Sequence, residues 1–319
     1  QPPLSKSMTL YSMTDQQSPA VSAILTTHNR PDVLREAIES VQKQTYAPDE
    51  VIVVDDASKP SISAGALHKA FPALPLTVLF NETSLGPGGA RNRGAEASCG
   101  DIIMFLDDDD TWEPEKVESQ MRTFAQHPDA GLVYSGRRVV SHEDRSEVLY
   151  TIHPSREGDL YPGILTGNCI GVTSSVAIRQ ALFNAVGGFD ADLAAREDYE
   201  MWIRCSQQAP VAHDGELNLR YTLTSASGDQ ISRSPIRRHV KAVRQIMEKH
   251  ADAIASCEAS FERKVRADHY YYVAKMARRH SLSVAFPWLL RSLLAWPRLK
   301  TLAVLIPDAA MRAIRGALS

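Results

Sequence analysis

The chain has 319 residues, of which 44% are hydrophobic, 23% charged and 7% aromatic, with a formal net charge of −3. These values belong to a globular protein of one or two domains with ample apolar material for a core, and they exclude fibrous and low-complexity chains. Four scattered cysteines without Cys-x-x-Cys spacing, no eighteen-residue apolar run and no charged-then-apolar N-terminus argue against a zinc site, a disulfide framework, a membrane span and a secretory signal, and for a reducing, cytoplasmic setting.

Residues 1–18 read as a disordered leader. From there to about residue 106, short β-branched or apolar runs alternate with amphipathic stretches, the pattern of βαβ units and a mostly parallel sheet. Strands are predicted at 21–27, 50–55, 76–81 and 101–106. Asn29-Arg30-Pro31 opens a helix in which Val33, Leu34, Ala37, Ile38 and Val41 share one face, and Pro31 suits its first turn. Further helices are expected after Ser61 and within 88–97. A helix over 114–127 is followed by strands and turns over 131–150, a helix over 160–167, a strand over 172–179 and a helix over 180–186. A Gly187-Gly188 turn then leads to a helix over 198–208. From Pro235 onward the pattern is helical, with Pro287, Pro297 and Pro307 cutting the last part into short pieces. The expected organisation is a leader (1–18), an α/β domain (19–232) and a basic helical C-terminal region (233–319). That last region carries seventeen Lys and Arg against six Asp and Glu, which leaves a net charge of −14 for residues 1–232. An acidic body with a basic tail implies an anionic surface as the tail's partner: phospholipid, nucleic acid or a phosphorylated acceptor.

The most informative stretch is Ile102-Ile103-Met104-Phe105-Leu106-Asp107-Asp108-Asp109-Asp110, an apolar strand that delivers four carboxylates to its C-terminal end. Like charges this close stay ionised only beside something positive, and a divalent cation with oxygen ligands is the natural partner. Magnesium or manganese held by the Asp107-x-Asp109 pair would complete its shell with water and substrate phosphates, which points to a diphosphate-bearing substrate. An acidic run alone is usually a solvated loop, but this one sits where open α/β sheets bind ligands.

Three weaker signals flank it. Val53-Val54-Asp55-Asp56-Ala57-Ser58 ends the second strand with another carboxylate pair, which is either a turn or a recognition site for a base with an N–H edge, such as uracil, thymine or guanine. In Asn81-x-x-x-x-Gly86-Pro87-Gly88-Gly89-Ala90-Arg91-Asn92-x-Gly94, glycines run into a helix carrying Arg91; such a turn is either structural or an approach for phosphates. In Arg196-Glu197-Asp198-Tyr199-Glu200-Met201-Trp202, Asp198 begins a helix whose Trp202 and Cys205 share an apolar face. Asp198 is either an N-cap or a general base that the helix N-terminus keeps ionised.

Taken in order, these motifs resemble the family-2 inverting glycosyltransferases of the GT-A fold. The likeness covers roughly residues 19–232 and rests on Thr27-His28-Asn29-Arg30, the VDDAS run, the ARNRG segment, FLDDDDTW, VGGFD and REDYEMW. It implies a metal-dependent transfer of one sugar from a nucleotide diphosphate, with Mn2+ or Mg2+, to a hydroxyl of a bacterial surface-glycan or lipid-linked saccharide acceptor. By the same resemblance Thr27, Asn29 and Arg30 would belong to the nucleotide site, Asp55 would contact the base with Asp56 nearby, and Arg91 would line the donor site. Asp107 and Asp108 would face the ribose-diphosphate, Asp107 and Asp109 the metal, and Asp198 would be the catalytic base with Glu197 as fallback. No Gln-x-x-Arg-Trp motif follows the base, so a processive polysaccharide synthase is not implied. The histidine many relatives carry after the base is absent from 220–232, which leaves Arg220 and Arg233 as candidates to close over the diphosphate.

Two alternatives stand beside this reading. Asp107-x-Asp109-x-Thr111 also fits the nucleophile loop of a haloacid-dehalogenase-type phosphatase, and a non-catalytic nucleotide or nucleic-acid binding module would use the basic tail. Residues 281–307 mix Leu282, Phe286, Trp288, Leu289, Leu290, Leu293, Leu294 and Trp296 with Arg291, Arg298 and Lys300. That mixture suits either a helix at an anionic membrane surface, peripheral on the inner face, or a bundle packed on the catalytic domain. Nucleic acid is not the expected partner.

Overall fold

The structure, a computed structural model, describes residues 18–223 and 235–306. Nearly all of the expected leader, Arg233 and Pro307 lie outside the described residues.

The first half alternates as the pattern requires: β1 (Val21–Thr27), α1 (Pro31–Gln42), β2 (Glu50–Asp55), α2 (Ala64–Ala70), β3 (Leu76–Phe80), α3 (Gly86–Ala97) and β4 (Ile102–Asp107). Next come β5 (Thr111–Trp112), α4 (Lys116–Gln126), β6 (Leu132–Tyr134), β7 (Arg137–Ser141), β8 (Val148–Ile152), β9 (Val176–Arg179), α5 (Gln180–Val186) and α6 (Glu197–Gln208). The rest comprises β10 (Val211–His213), β11 (Leu219–Leu223), α7 (Ile236–Lys249), α8 (Ala251–Ala255), α9 (Ala259–Arg278) and α10 (Leu282–Ala295).

Seven strands form the central sheet in the order β10-β6-β9-β4-β1-β2-β3. It is parallel except at β9, which runs antiparallel to both β4 and β6. A second sheet, β5-β11-β7-β8, stands beside it. Strands β1, β2 and β4 are buried on both faces, so successive residues feed two cores. Ile24, Ile52, Val54, Ile103 and Phe105 enter one, with Phe189, Tyr199 and Trp202. Ala23, Leu25, Val51, Val53, Met104 and Leu106 enter the other, with Leu34, Ile38 and Val41 of α1. This two-sided burial is why β2 and β4 read as continuous apolar runs.

Three expectations change. Residues 160–167 hold only a short 3-10 turn, Gly163–Thr166. Strands β5, β10 and β11 are two to five residues long and take their partners from distant segments, so no local period announces them. Pro287 does not divide the C-terminal segment but sits inside α10. Proline lacks the N–H that would bond the carbonyl four residues back, yet Ala285 and Leu289 pack in one cluster with Ala274 and Ala277 of α9, and that packing keeps the helix whole.

Helix α3 lies unusually close to the sheet. A Cβ on Gly94 would fall 2.4 Å from Ile24 Cγ2 and 3.3 Å from Val54 Cγ2. Gly94→Ala is therefore expected to destabilise the protein by about 1–3 kcal/mol through overpacking, seen as a lower urea midpoint with an unchanged slope. A neutral result would mean that α3 can lift from the sheet.

Candidate functional site

The parallel register sets the site. Thr27 aligns with Asp55 and Thr26 with Asp107, so the carboxyl ends of β1, β2 and β4 stand side by side. A cleft of about 960 Å³ opens at this edge.

The four aspartates after β4 divide their duties. Asp107 Oδ1 accepts a 2.6 Å hydrogen bond from Arg91, and Asp109 Oδ2 a 2.8 Å one from Arg30. Both residues line the cleft and are partly exposed, at 27% and 13%. Asp108, with a side chain 0% exposed, accepts from the Thr27 hydroxyl at 2.7 Å and pairs with Arg30 at 2.7 Å. Asp110 is also buried and accepts the Thr222 N–H of β11 at 3.0 Å, which ties the two sheets together. Burial pushes the Asp108 carboxyl up to about 7, with Arg30 pulling it down and Asp109 and Asp107 adding to the rise. Asp110 is raised well above the carboxylate range by burial and then by Asp109 and Asp107.

The second carboxylate pair organises the surrounding loops. Asp55, expected to meet a base, is buried and gives Oδ1 to the Ser58 N–H and Oδ2 to the Ile62 N–H, both at 2.9 Å. It is not among the residues lining the cleft. Asp56 lines the cleft and accepts from Asn81 and Ser84 side chains, each at 2.7 Å, and from the N–H groups of Leu85 at 2.8 Å and Gly86 at 3.0 Å. Asn29, in the left-handed region at φ 57°, accepts the Lys59 N–H at 2.7 Å and donates its own N–H to Ser58 Oγ at 2.8 Å.

The glycine segment is structural as far as Gly88 and Gly89 are concerned. Both lie buried in the first turn of α3, where a Cβ would meet Phe189 or Leu85. The residues after them do the positioning. Arg91, 6% exposed, bridges Asp107 and Glu197, the latter at 3.0 Å, and lies over the Phe189 ring. Burial works against its charge, but Asp107 and Glu197 outweigh that and hold it protonated more firmly than usual. Asn92 clamps the Gly187-Gly188-Phe189 turn, donating to the Phe189 carbonyl and accepting the Phe189 N–H, both at 2.8 Å. Arg204 grips the same turn from α6 through the Val186 and Gly188 carbonyls.

This turn presents the start of α6. Helix α6 begins at Glu197, so Asp198 is its second residue and not its N-cap; Arg196 precedes it at φ +62° with no side-chain capping bond. That unusual conformation puts the Arg196 guanidinium between the rings of Tyr199 and Tyr272, 4.2 and 4.0 Å from their centroids. Both line the cleft, Glu197 committed to Arg91 and Asp198 with Oδ1 accepting only the Tyr199 N–H at 2.6 Å. The expectation that the helix N-terminus keeps Asp198 fully ionised gives way to burial, which together with Glu197 pushes it up to about 7.

The sequence reading missed one wall. Helix α9 and the segment after α10 line the cleft with Tyr271, Tyr272, Lys275 and Lys300, and β7 contributes Arg137. Arg220 does not line it: the residue pairs with Glu113 and donates to the Arg145 carbonyl at 2.6 Å, so it is not placed to close over a diphosphate.

Among the described residues no three His, Cys, Asp or Glu side chains gather into a metal cage. Asp107 and Asp109 nevertheless fit a hard divalent cation. Both face the cleft with oxygen donors, and magnesium-type sites use one or two carboxylates and take the remaining ligands from water and phosphate.

Residues 22–187 match the family model described as glycosyl transferase family 2. An uncharacterized glycosyltransferase of Haemophilus influenzae is 33% identical over 189 residues, 59% of this chain and 62% of that protein. The uncharacterized glycosyltransferase YwdF of Bacillus subtilis is 30% identical over 213 residues, 66% of this chain and 76% of that protein. Among solved structures, S. aureus TarS 1-349 in complex with UDP-GlcNAc gives a TM-score of 0.56 at 18% identity over 89% of each chain. The mannosyltransferase PcManGT from Pyrobaculum calidifontis, in complex with GDP-Man and Mn2+, gives 0.56 at 20% identity over 93% of this chain and 81% of that one. At such identity the structural likeness speaks for the fold.

Proposed function

The chain belongs to glycosyl transferase family 2 and has a GT-A-type fold, and from that premise we propose that it moves a single sugar, with inversion, from a UDP- or dTDP-sugar to a hydroxyl of a glycan or lipid-linked saccharide. The observation that carries this reading is the bridge Asp107–Arg91–Glu197, which brings the acidic strand end and the Asp198 helix to one cleft. Membership of this family leaves the phosphatase and the non-catalytic module without support.

In the proposed reaction Asp198 takes the proton of the acceptor hydroxyl as that oxygen attacks the anomeric carbon. A carboxylate near pH 7 in its proton affinity suits a general base at neutral pH. Glu197, locked to Arg91, positions it. A single displacement inverts the anomeric configuration. Asp107 and Asp109 would hold Mn2+ or Mg2+, which when bound would offset the charge growing on the leaving diphosphate. Arg30 and Arg91 are placed beside those carboxylates and share that task. Of the second pair, Asp56 is the carboxylate that reaches the cleft, and a carboxylate there favours a base with an N–H edge; guanosine diphosphate ranks behind uridine and thymidine.

The C-terminal region is proposed to seat the enzyme on an anionic membrane surface. Leu282, Phe286, Leu290 and Leu294 form an exposed ridge at four-residue spacing on α10, while Ala285, Leu289 and Ser292 face the protein interior. Leu299, Leu302 and Leu305 extend the exposed apolar surface, and Arg291 lies over the Trp288 ring beside it. Among the described residues no helix is long and apolar enough to cross a membrane. A ridge with basic neighbours suits the headgroup boundary, where each basic residue adds about 1 kcal/mol.

A thermal-shift screen of nucleotide diphosphates with Mn2+ is expected to select UDP or dTDP. Asp109→Asn should abolish most of the metal-dependent part of that stabilisation, and wild-type affinity in the variant, or affinity indifferent to chelation, would remove the metal assignment. Asp198→Asn should keep fold and nucleotide affinity while turnover falls about 100- to 10,000-fold. In the wild type kcat/KM should rise with pH toward about 7, because the base works only once its proton has left; a flat profile together with an active Asn variant would rule Asp198 out. Vesicles containing anionic lipid should sediment the protein at low salt and release it as salt rises, and an equal yield with Leu290→Glu/Leu294→Glu would leave the ridge without that role.

A further inference from the structure

Among the described residues, Arg137 is a half-buried guanidinium at the cleft with no hydrogen bond or ion pair to a protein group. Arg30 pairs with Asp108 and Asp109, Arg91 with Asp107 and Glu197, and Arg196 is held between two tyrosine rings with His269 Nδ1 3.2 Å away. Arg137 opens β7 and lines the cleft. Its position is built by its neighbours. Gly171, at φ +121°, brings its backbone so near that a Cβ there would lie 2.6 Å from Arg137 Nη1. The Gly171 turn is in turn fastened by Asn168, which donates to the Gly171 carbonyl at 2.9 Å and accepts the Gly171 N–H at 2.8 Å, and by the Trp202 indole donating to that carbonyl at 3.1 Å.

A half-buried charge without a protein partner is poorly compensated, and an anionic ligand at the cleft would supply the missing partner. The carboxylates whose fields reach Arg137 are Asp110 and Asp198, neither in contact with it: Asp110 is bonded to Thr222 and Asp198 to Tyr199. Burial lowers the guanidinium's proton affinity, in keeping with an uncompensated charge. Two further cations, Arg156 and Lys275, line the same cleft from exposed positions. Arg30 and Arg91, by contrast, already face carboxylates.

We propose that the acceptor carries an anionic group, a phosphate or a carboxylate, and that Arg137 receives it in a bidentate pair beside Asp198, with Arg156 and Lys275 contributing at the cleft wall. A planar guanidinium matches either oxyanion, and the pairing would bring the acceptor's hydroxyl to the base. This rests on the assignment of Asp198 to the acceptor proton.

The test is titration calorimetry with three probes, glucose 1-phosphate, glucuronate and methyl glucoside, on the full protein with and without saturating UDP and Mn2+. At least one charged probe is expected to bind ten or more times more tightly than methyl glucoside, and the tighter of the two identifies phosphate or carboxylate as the group. Arg137→Met keeps the stem and removes the charge; it should lose that preference, keep UDP affinity and melt no lower than the wild type. No binding of either charged probe at millimolar concentration overturns the proposal, as does an unchanged preference in Arg137→Met. A tenfold loss of UDP affinity in the variant would reassign Arg137 to the donor diphosphate, and a melting point several degrees lower would reassign it to the fold. Failure of UDP to bind the wild type would defeat the donor reading alone, because the probe titrations without nucleotide still decide Arg137.

Discussion

The Arg91 guanidinium, nearly buried and shared between Asp107 and Glu197, is the contact on which the site depends. Its charge is sustained by two carboxylates from distant parts of the chain, one from a strand end and one from a helix start. Glu197 in particular depends on it, because a buried carboxylate that loses its partner is strongly disfavoured. Two further residues of the same helix make the bridge possible. Asn92 clamps the glycine turn that presents α6, and Gly94 lets α3 lie against Ile24 and Val54 closely enough for Arg91 to reach.

The acidic cluster shows how a fold accommodates four adjacent carboxylates. They do not share one fate. Asp108 and Asp110 turn inward and are satisfied by Thr27, Arg30 and the backbone of β11, which fastens the strand ends and the second sheet. Asp107 and Asp109 turn to the cleft, each with one oxygen held by arginine. The sorting is done by a turn: β4 ends at Asp107, and the Asp110 N–H bonds the Asp107 carbonyl at 3.1 Å, so the chain reverses through Asp108 and Asp109. The result is a cleft edge at which Asp107 and Asp109 are each paired with an arginine.

The helices after residue 235 complete the cleft. Helix α9 packs through Val265, and its His269 reaches the Leu165 carbonyl at 3.3 Å, while Tyr272 stacks on Arg196 next to Asp198. A region that reads in sequence as a separate basic tail therefore touches Arg196, the residue that precedes α6.

Local pattern determined much of this protein. Strands β1 and β2 and helix α5 fall where the residues alone place them, because apolar runs bounded by turn residues carry their own period. The delivery of Asp107 and Asp109 to a ligand-binding edge follows from the same local reasoning, as does the start of a helix near Asp198. Tertiary structure decided the rest. Which of Asp55 and Asp56 faces the cleft depends on loops 58–62 and 81–86 folding back to occupy their oxygens. That Glu197 is locked and Asp198 free depends on Arg91, 106 positions away in the chain. Arg137 looks in sequence like an ordinary basic residue after a short strand; its isolation exists only because the Gly171 turn closes against it and no carboxylate does. Partners brought together over such distances leave no periodicity in the chain, so the carboxylates could be named from sequence while their division of labour could not.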